Sequence, residues 1–495
     1  MSSGVGFDDY LEEDCPIVAV LVPQEPARTW TADEVMVTDP GVIRRAISAA
    51  AVGNITEWYD FGVYAYFEPT IKKVFFADLG DTAGTIATFG LFAVAFLVRP
   101  FGGAFFGPLA DRIGRSKVLA TTMLLMAAGT FAIGCIPSHD SIGILAPILL
   151  LVARLLQGFS TGGEYGNAMT FIAEYAPDRR RGFLGSWLEF GTFTGYILGA
   201  IVVTVADATL SESQLLSWGW RIPFLVALPL GAVGVYLRTR LADTPAFEQL
   251  EQESQEREAA NRGESELKKL GRLWPFLVAC MGLVLVWNVT NYMLTSYMPT
   301  YLTDTMPKLQ GGSSVSDTES QYLQIAVMAV ALLLIPLIGG LSDRVGRKPI
   351  AWVGSVGLVV LAFPMIALIR ADSGVTIFLG LLLMGLMLIC FSATMPSTLP
   401  ALFPTEVRGA GLSVSFNVSV SAFAGTTSVV VGALVGATGD LNWPAYYLII
   451  AGLIGCVSVW AIQDPNGRRM WGSAPAAQSE EEAEEIVAAQ EQVSA

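Results

Sequence analysis

The stretch of sequence that decides the fold occurs twice, as GPLADRIGRSK at residues 107–117 and as GGLSDRVGRKP at residues 339–349. The copies begin 339 − 107 = 232 residues apart, and each follows one long apolar run and precedes another. A short basic turn between two apolar runs is typical of a cytoplasmic hairpin that joins two membrane helices. Its duplication predicts two related helical bundles, an arrangement in which a transport site lies between the halves.

The composition agrees with a membrane protein. Of the 495 residues, 53% are hydrophobic and 15% are charged, and the mean hydropathy is +0.54. Apolar runs of the length that spans a bilayer as a helix recur at about 46–70, 84–109, 117–136, 143–174, 182–208, 219–238, 273–301, 321–341, 350–369, 375–401, 410–436 and 444–463. The predicted fold class is an all-α membrane protein with twelve transmembrane helices in two pseudo-symmetric six-helix bundles.

The distribution of charge predicts the topology. Lys and Arg cluster in the even-numbered loops and are sparse in the odd-numbered ones, which places both termini in the cytoplasm. The predicted domains are an acidic N-terminal tail at 1–43, bundles at 44–240 and 273–463, a polar linker at 241–272 and an acidic C-terminal tail at 464–495. Acidic runs in the tails supply much of the net charge of −15, and we expect them to be solvated and disordered.

Several functional classes are disfavoured by the sequence. The five cysteines are scattered and His139 is the only histidine, so we expect no metal site and no cofactor other than a proton as the coupling ion. No Gly-Lys dipeptide occurs, which argues against a phosphate-binding loop and an ATP-driven pump. No nucleophile–base set accompanies the buried carboxylates, so we expect no catalytic residues and no enzyme. The acidic net charge argues against a nucleic-acid partner.

Further motifs resemble those of a known family. GNITEWYDF (53–61), RPFGG (99–103), QGFSTGGE (157–164) and WGWRIP (218–223) resemble the metabolite:proton symporter branch of the major facilitator superfamily. Within that branch, GSWLEFG (185–191), NVTNYML (288–294) and STLPALFPT (397–405) are most similar to the proline/betaine transporters. The resemblance implies a major facilitator fold in the cell membrane.

The same resemblance implies a function. We expect proton-coupled uptake of a zwitterionic osmolyte, such as proline, glycine betaine or ectoine, by alternating access in a monomeric transport unit. A proton symporter for an organic acid such as 2-oxoglutarate or shikimate stays open, because close relatives carry such substrates on the same scaffold. A membrane sensor that transports nothing is an alternative of another class.

Charged side chains inside the spans indicate where protons bind. Each costs about 2.5–3.5 kcal/mol at the centre of a membrane helix, so most face a cavity or a partner. A carboxylate whose arginine partner moves between states can change its proton affinity during transport. The alternative is a static ion-pair network that only holds the helices together. The predicted proton-coupling residues are Asp60, Glu57, Glu164, Arg154 and Arg99.

The repeat also suggests substrate contacts. Subtracting 231 from Asn288 and Asn291 gives Glu57 and Asp60, so the seventh span repeats a polar face of the first with amides, which cannot titrate. Nearby aromatic faces suit a quaternary ammonium group by cation–π attraction, although they could equally serve ordinary packing or an interfacial aromatic belt. The excess of buried acid favours a zwitterion over a dicarboxylate. The predicted substrate-binding residues are Tyr64, Trp58, Glu189, Trp187, Asn288, Asn291 and Tyr292.

The duplicated loops themselves are expected to act away from the substrate. The resemblance implies that they form a conformational latch, in which loop charges pair with carboxylates at neighbouring helix ends. Charge that only sets the topology is the alternative. The predicted latch residues are Asp111, Arg112, Arg115, Glu174, Asp343, Arg344, Arg347 and Glu406.

Overall fold

The computed structural model describes residues 29–38, 40–113, 115–162, 164–242, 270–310, 315–371, 373–405 and 407–494. For residues 107–113 and 115–120 it describes the backbone alone. Most of the predicted linker and the acidic run of the N-terminal tail lie outside these ranges.

Twelve helical spans run through the described residues, close to the predicted positions. They are α1 (Pro40–Tyr66), α2 (Asp81–Leu97 and Arg99–Ile113), α3 (Arg115–Cys135), α4 (Leu145–Thr161 and Glu164–Tyr175), α5 (Arg181–Thr209), α6 (Arg221–Ala242), α7 (Trp274–Tyr292, with further helical turns to Gln310), α8 (Asp317–Val345), α9 (Arg347–Ile369), α10 (Gly374–Ser392), α11 (Arg408–Ser419 and Thr426–Thr438) and α12 (Trp443–Ala461). The all-helical prediction is confirmed.

By length and composition, nine of the described helices could cross a membrane, or ten if a bent pair at the start of α6 counts as one span. The helix α1 is not among them, and it carries Glu57 and Asp60 within its length. Charged side chains inside a membrane helix are rare and are candidates for a functional role.

Close packing of α1 on α5 depends on glycine. A Cβ atom on Gly195 would lie 2.5 Å from the carbonyl oxygen of Ile55 and 2.9 Å from the backbone nitrogen of Tyr59. A Cβ atom on Gly191 would lie 2.6 Å from the carbonyl oxygen of Ala51. The backbones therefore approach more closely than any larger residue allows, as small residues permit in membrane bundles. This contact fixes the helix that carries the buried carboxylates.

The two halves, α1–α6 and α7–α12, meet at the end of the bundle that holds the second copy of the duplicated loop, here called the basic end. Asp343 of α8 accepts hydrogen bonds from the backbone nitrogens of Gly182 and Phe183 at 2.7 and 2.8 Å. Arg408 Nη1 donates to Glu174 Oε1 at 2.6 Å. Both contacts cross between the halves, so the basic end is closed.

The halves also meet at the other end, here called the opposite end. The Gln321 side chain accepts a hydrogen bond from Thr204 Oγ1 at 2.8 Å and donates one to Asp207 Oδ2 at 2.7 Å. Thr300 Oγ1 lies 3.4 Å from Glu68 Oε2 and donates to it. Because cross-half contacts exist at both ends, the bundle is in an occluded arrangement.

The C-terminal tail is folded, so the expectation of disorder is wrong for it. A strand β2 (Ala476–Ala477) pairs in parallel with β1 (Met36–Val37), which precedes α1. A helix α13 (Glu480–Ser494) follows, and Arg179 pairs with its Glu485 at 3.1 Å. The acidic composition predicted a solvated, disordered tail, but the tail pairs with the segment before α1, which is far away in sequence.

The folded tail touches both halves of the bundle. The backbone oxygen of Trp471 accepts a hydrogen bond from Arg408 Nη2 at 2.7 Å, on the C-terminal half. On the N-terminal half, Asp178 Oδ2 accepts from the backbone nitrogen of Ala476 at 3.2 Å. Trp471 itself is buried. The tail thus lies across the basic end and connects the two halves there.

Candidate functional site

The first feature of the site is Asp60, which is 2% exposed and lies in the second half of α1. Its Oδ2 accepts a hydrogen bond from Thr130 Oγ1 at 2.6 Å, and its Oδ1 has no hydrogen-bond partner among the described residues. Thr130 in turn accepts from Gln157 Nε2, and Gln157 Oε1 accepts from Arg154 Nη1 at 2.8 Å. A hydrogen-bonded route therefore joins Asp60 to Arg154, and the described residues show no direct ion pair between them.

Arg154 is fully buried and is held by backbone oxygens. Its Nε and Nη2 donate to the carbonyl oxygens of Leu91 and Phe92 at 3.3 and 3.4 Å. Its guanidinium carbon lies 4.1 Å from the centre of the Tyr64 ring, and the Tyr64 hydroxyl donates to the carbonyl oxygen of Thr88 at 3.2 Å. The structure thus places Tyr64 against a proton-coupling candidate, as a cation–π partner of Arg154.

Glu57 and Arg99 form the second charged pair. Arg99 Nη2 lies 3.3 Å from Glu57 Oε1, and both side chains are at most 2% exposed. The guanidinium of Arg99 also lies over the rings of Phe96 and Phe61, at 4.8 and 4.9 Å. This pair joins α1 to α2, which matches the ion-pair network that the sequence left open for these two residues. Asp60 is outside it.

Aromatic rings from the two halves meet beside these charges. The ring centre of Trp58 lies 5.5 Å from that of Tyr196 on α5 and 6.5 Å from that of Tyr292 on α7. Tyr292 also packs edge-on against Phe96 at 5.1 Å. The hydroxyl groups of Tyr196 and Tyr292 are buried without a hydrogen-bond partner among the described residues. We call Trp58, Tyr196 and Tyr292 the aromatic cluster.

The remaining substrate candidates divide into two groups. Asn288 and Asn291 are buried on α7, and the amide nitrogen of Asn288 donates to the carbonyl oxygen of Val284 in its own helix. Glu189 is buried and accepts hydrogen bonds from the Tyr165 hydroxyl and from Thr192 Oγ1. These three side chains are buried inside the bundle, and their contact with substrate stays a prediction.

Trp187 does not join them. Its ring packs on Phe190 at 4.9 Å and on Phe183 at 6.1 Å, both in its own helix, and in the described residues no ring contact links it to the aromatic cluster. Glu189 follows two residues later, a rotation of about 200° on an α-helix, so the two side chains face opposite ways. The prediction that Trp187 contacts substrate therefore finds no support in this arrangement, whereas Glu189 keeps its place.

Glu164 lies buried where the second segment of α4 begins. It is 7% exposed. Its position is on the interior side of the bundle, so it stays a proton-coupling candidate.

The latch candidates are placed as follows. Glu174 forms an ion pair with Arg408, a residue that was not among the candidates. Asp343 Oδ1 lies 3.4 Å from Arg347 Nη2 and also accepts a hydrogen bond from the backbone nitrogen of Gly182 at the start of α5. Arg344 is exposed. The side chains of Asp111, Arg112, Arg115 and Glu406 lie outside the described residues.

Sequence reasoning missed four residues that the fold brings to these sites. Thr130 lies on α3 and Tyr196 on α5, and both helices carry several other polar side chains, so residue spacing alone does not single these two out. Arg408 lies just before the eleventh predicted span and was one of the loop cations from which the topology was predicted. Glu68 continues the spacing of Asp60 and Tyr64 by another four residues, just past the end of α1.

Comparison with known proteins agrees with this architecture. Residues 46–270 match a family described as sugar (and other) transporter, and residues 305–487 match the major facilitator superfamily. The chain is 44% identical over 471 residues to a proline/betaine transporter of Escherichia coli (strain K12), covering 94% of this chain and 93% of that protein. It is 45% identical over 459 residues to a glycine betaine/proline/ectoine/pipecolic acid transporter of Dickeya dadantii (strain 3937), covering 92% and 90%.

Solved structures show the same fold. The proton:xylose symporter XylE, bound to 6-bromo-6-deoxy-D-glucose, superimposes with a TM-score of 0.70 over 88% of this chain and 98% of that chain. The sequence identity is 18%, so the likeness concerns the fold.

Proposed function

Because the chain belongs to the major facilitator superfamily, and within it to the family of the proline/betaine transporters, we propose that it carries a zwitterionic osmolyte such as glycine betaine or proline together with a proton. The predicted fold and family are confirmed, as is the expectation of a transporter rather than an enzyme. The protein is a multi-pass membrane protein. We propose that its basic end faces the cytoplasm, and that one chain holds a complete site.

The observation that carries the substrate proposal is the aromatic cluster between the halves. A quaternary ammonium is attracted to the faces of tryptophan and tyrosine rings, and Trp58, Tyr196 and Tyr292 supply three such rings. The hydroxyls of the two tyrosines have no partner among the described residues and can donate to a carboxylate. A zwitterion carries both groups. Since the rings come from both halves, its binding would draw the halves together.

Asp60 supports the proton part of the proposal. One of its oxygens has no partner among the described residues, and the other is joined to Arg154 only through Thr130 and Gln157. A buried carboxylate without a direct ion pair can accept a proton without first breaking one. Any shift of α4 against α1 would change the distance from Arg154 to Asp60, and with it the affinity for the proton.

The test is uptake of radiolabelled glycine betaine and proline into proteoliposomes under an imposed proton gradient. We expect accumulation that a proton ionophore abolishes, competed by ectoine but not by 2-oxoglutarate or shikimate. One proton at roughly 150 mV supplies ~3.5 kcal/mol, enough for on the order of 300-fold accumulation of a net-neutral substrate. Failure to accumulate any zwitterion would remove this function.

A variant separates proton coupling from binding. Asp60→Asn should abolish proton-driven accumulation while leaving exchange of labelled for unlabelled substrate, because the amide fills the same space but cannot titrate. Glu212→Gln is the matched control, since that exposed carboxylate pairs only with Lys73 among the described residues, at 2.9 Å. Full accumulation by Asp60→Asn would exclude Asp60 from the mechanism.

A further inference from the structure

Glu68 is a buried carboxyl group that the proposed site does not use. It begins the short helix Glu68–Phe75, directly after α1, and is 3% exposed. Its Oε1 has no hydrogen-bond partner among the described residues. Its Oε2 accepts one long hydrogen bond, from Thr300 Oγ1 at 3.4 Å. Thr300 belongs to the other half, so this contact is part of the closed opposite end.

The charged groups around Glu68 do not neutralise it directly. Arg154 is the cation that acts on it electrostatically, but the guanidinium is held by the Leu91 and Phe92 carbonyls and by Gln157, with no ion pair to Glu68. On adjoining segments, Lys73 pairs with Glu212 at 2.9 Å and His139 lies 3.5 Å from Asp78. Tyr64, four residues earlier on α1, donates its hydroxyl hydrogen to the carbonyl oxygen of Thr88.

Closing the opposite end therefore buries a carboxyl group with one weak bond and no directly paired cation. Burying an ionised carboxylate in this way costs far more free energy than one long hydrogen bond returns, whereas burying the protonated carboxyl group costs much less. When the halves separate at this end, the contact with Thr300 is lost and water can reach the carboxyl group.

We propose that Glu68 makes closure of the opposite end depend on proton binding, so that this end closes only when the Glu68 carboxyl carries a proton. Binding forms an O–H bond at Glu68 with a proton taken from the solution on that side, and reopening returns it there. Glu68 is thus a positioning residue for the occluded state, separate from Asp60. The inference rests on the proposed function only in assuming a substrate-carrying cycle.

Exchange without a proton gradient tests this. The rate at which labelled glycine betaine exchanges for unlabelled glycine betaine across the proteoliposome membrane is measured at a series of pH values, with the same pH on both sides. In the wild type the exchange rate should fall toward alkaline pH by about tenfold per pH unit, the slope of one titrating group. Glu68→Gln mimics the protonated form, so its rate should stay flat at the wild-type acid plateau.

Two variants separate titration from the hydrogen bond. Thr300→Val removes the bond to Glu68 but leaves the carboxyl group, so it should lower the rate and keep the alkaline slope. A wild-type slope in Glu68→Gln, or a flat profile in Thr300→Val, would overturn the proposal.

A second measurement needs no substrate and covers the case of an inactive variant. Spin labels at the exposed positions Ala208 on α5 and Tyr322 on α8 report the separation of the halves at the opposite end. The short-distance population should decline as pH rises in the otherwise wild-type chain and should be independent of pH in Glu68→Gln. Closure that does not respond to pH in the wild type contradicts the role of Glu68, whatever the outcome of the transport assays.

Discussion

Replacing Gly182 with alanine should open the basic end. Gly182 begins α5 against the second copy of the duplicated loop, and a Cβ atom there would lie 2.6 Å from Asp343 Oδ1 and 2.8 Å from the carbonyl oxygen of Gly339. Ordinary contact begins at 3.4 Å, and a backbone oxygen cannot rotate away, so the halves must separate locally by 3.4 − 2.8 = 0.6 Å. The bonds that Asp343 accepts from α5 lengthen as a result.

The size of the effect follows from where the strain falls. An added methyl group in a packed site costs about 1–3 kcal/mol. Here it raises the free energy only of the closed state, in which the halves touch. The ratio of closed to open molecules at the basic end should therefore drop by about 5–150-fold. Binding of substrate, which needs no contact at Gly182, should weaken only through this shift in populations.

Distances between spin labels at the exposed positions Arg180 and Val345 would measure the change. Gly340→Ala is the matched control in the same loop, because its Cβ would first meet Phe183 Cδ2 at an ordinary 3.6 Å. The reasoning is refuted if Gly182→Ala gives the wild-type distance distribution, or if both variants open the bundle equally.

Two further substitutions test the packing. Glu174→Gln should destabilise the closed basic end by about 1 kcal/mol, which is no more than the smallest effect expected of Gly182→Ala, because the carboxylate is 28% exposed and Arg408 keeps its other bonds. The same spin labels would measure this change, and an unchanged distance distribution would argue against a latch. Gly195→Ala should lower the melting temperature of the purified protein, because its Cβ would lie 2.5 Å from the Ile55 carbonyl oxygen. The control Gly90→Ala places its Cβ more than 4 Å from any neighbour and should leave the melting temperature unchanged. Equal melting temperatures of the two variants would contradict the close packing of α1 on α5.

The helical bundle could be predicted from the sequence because its signals are local. Span lengths depend on runs of apolar residues, and the two halves show themselves in a repeated loop. The offset that aligned Asn291 with Asp60 placed both in the interior of the bundle, where the structure has them. What could not be predicted is the route from Asp60 through Thr130 and Gln157 to Arg154. That route depends on which faces of α1, α3 and α4 meet, and no residue spacing within one helix encodes it.

The differences from expectation also have specific causes. Trp187 was predicted from its place beside a polar helix face, and in the structure its ring packs on Phe183 and Phe190 of its own helix, so that a contact with substrate stays a prediction. The C-terminal tail was judged by its acidic run, while its strand pairs with Met36 and Val37, more than four hundred residues earlier. Composition predicts how a segment behaves when only water surrounds it, whereas this segment pairs with another part of the chain.

The folded tail gives the transport cycle an additional kinetic step. It is bonded to Arg408 on one half and to Asp178 on the other, so the halves cannot swing apart at the basic end until the tail detaches from one of them. A molecule that bound the detached tail would therefore hold the basic end open. A chain shortened before residue 464 would cycle without that step.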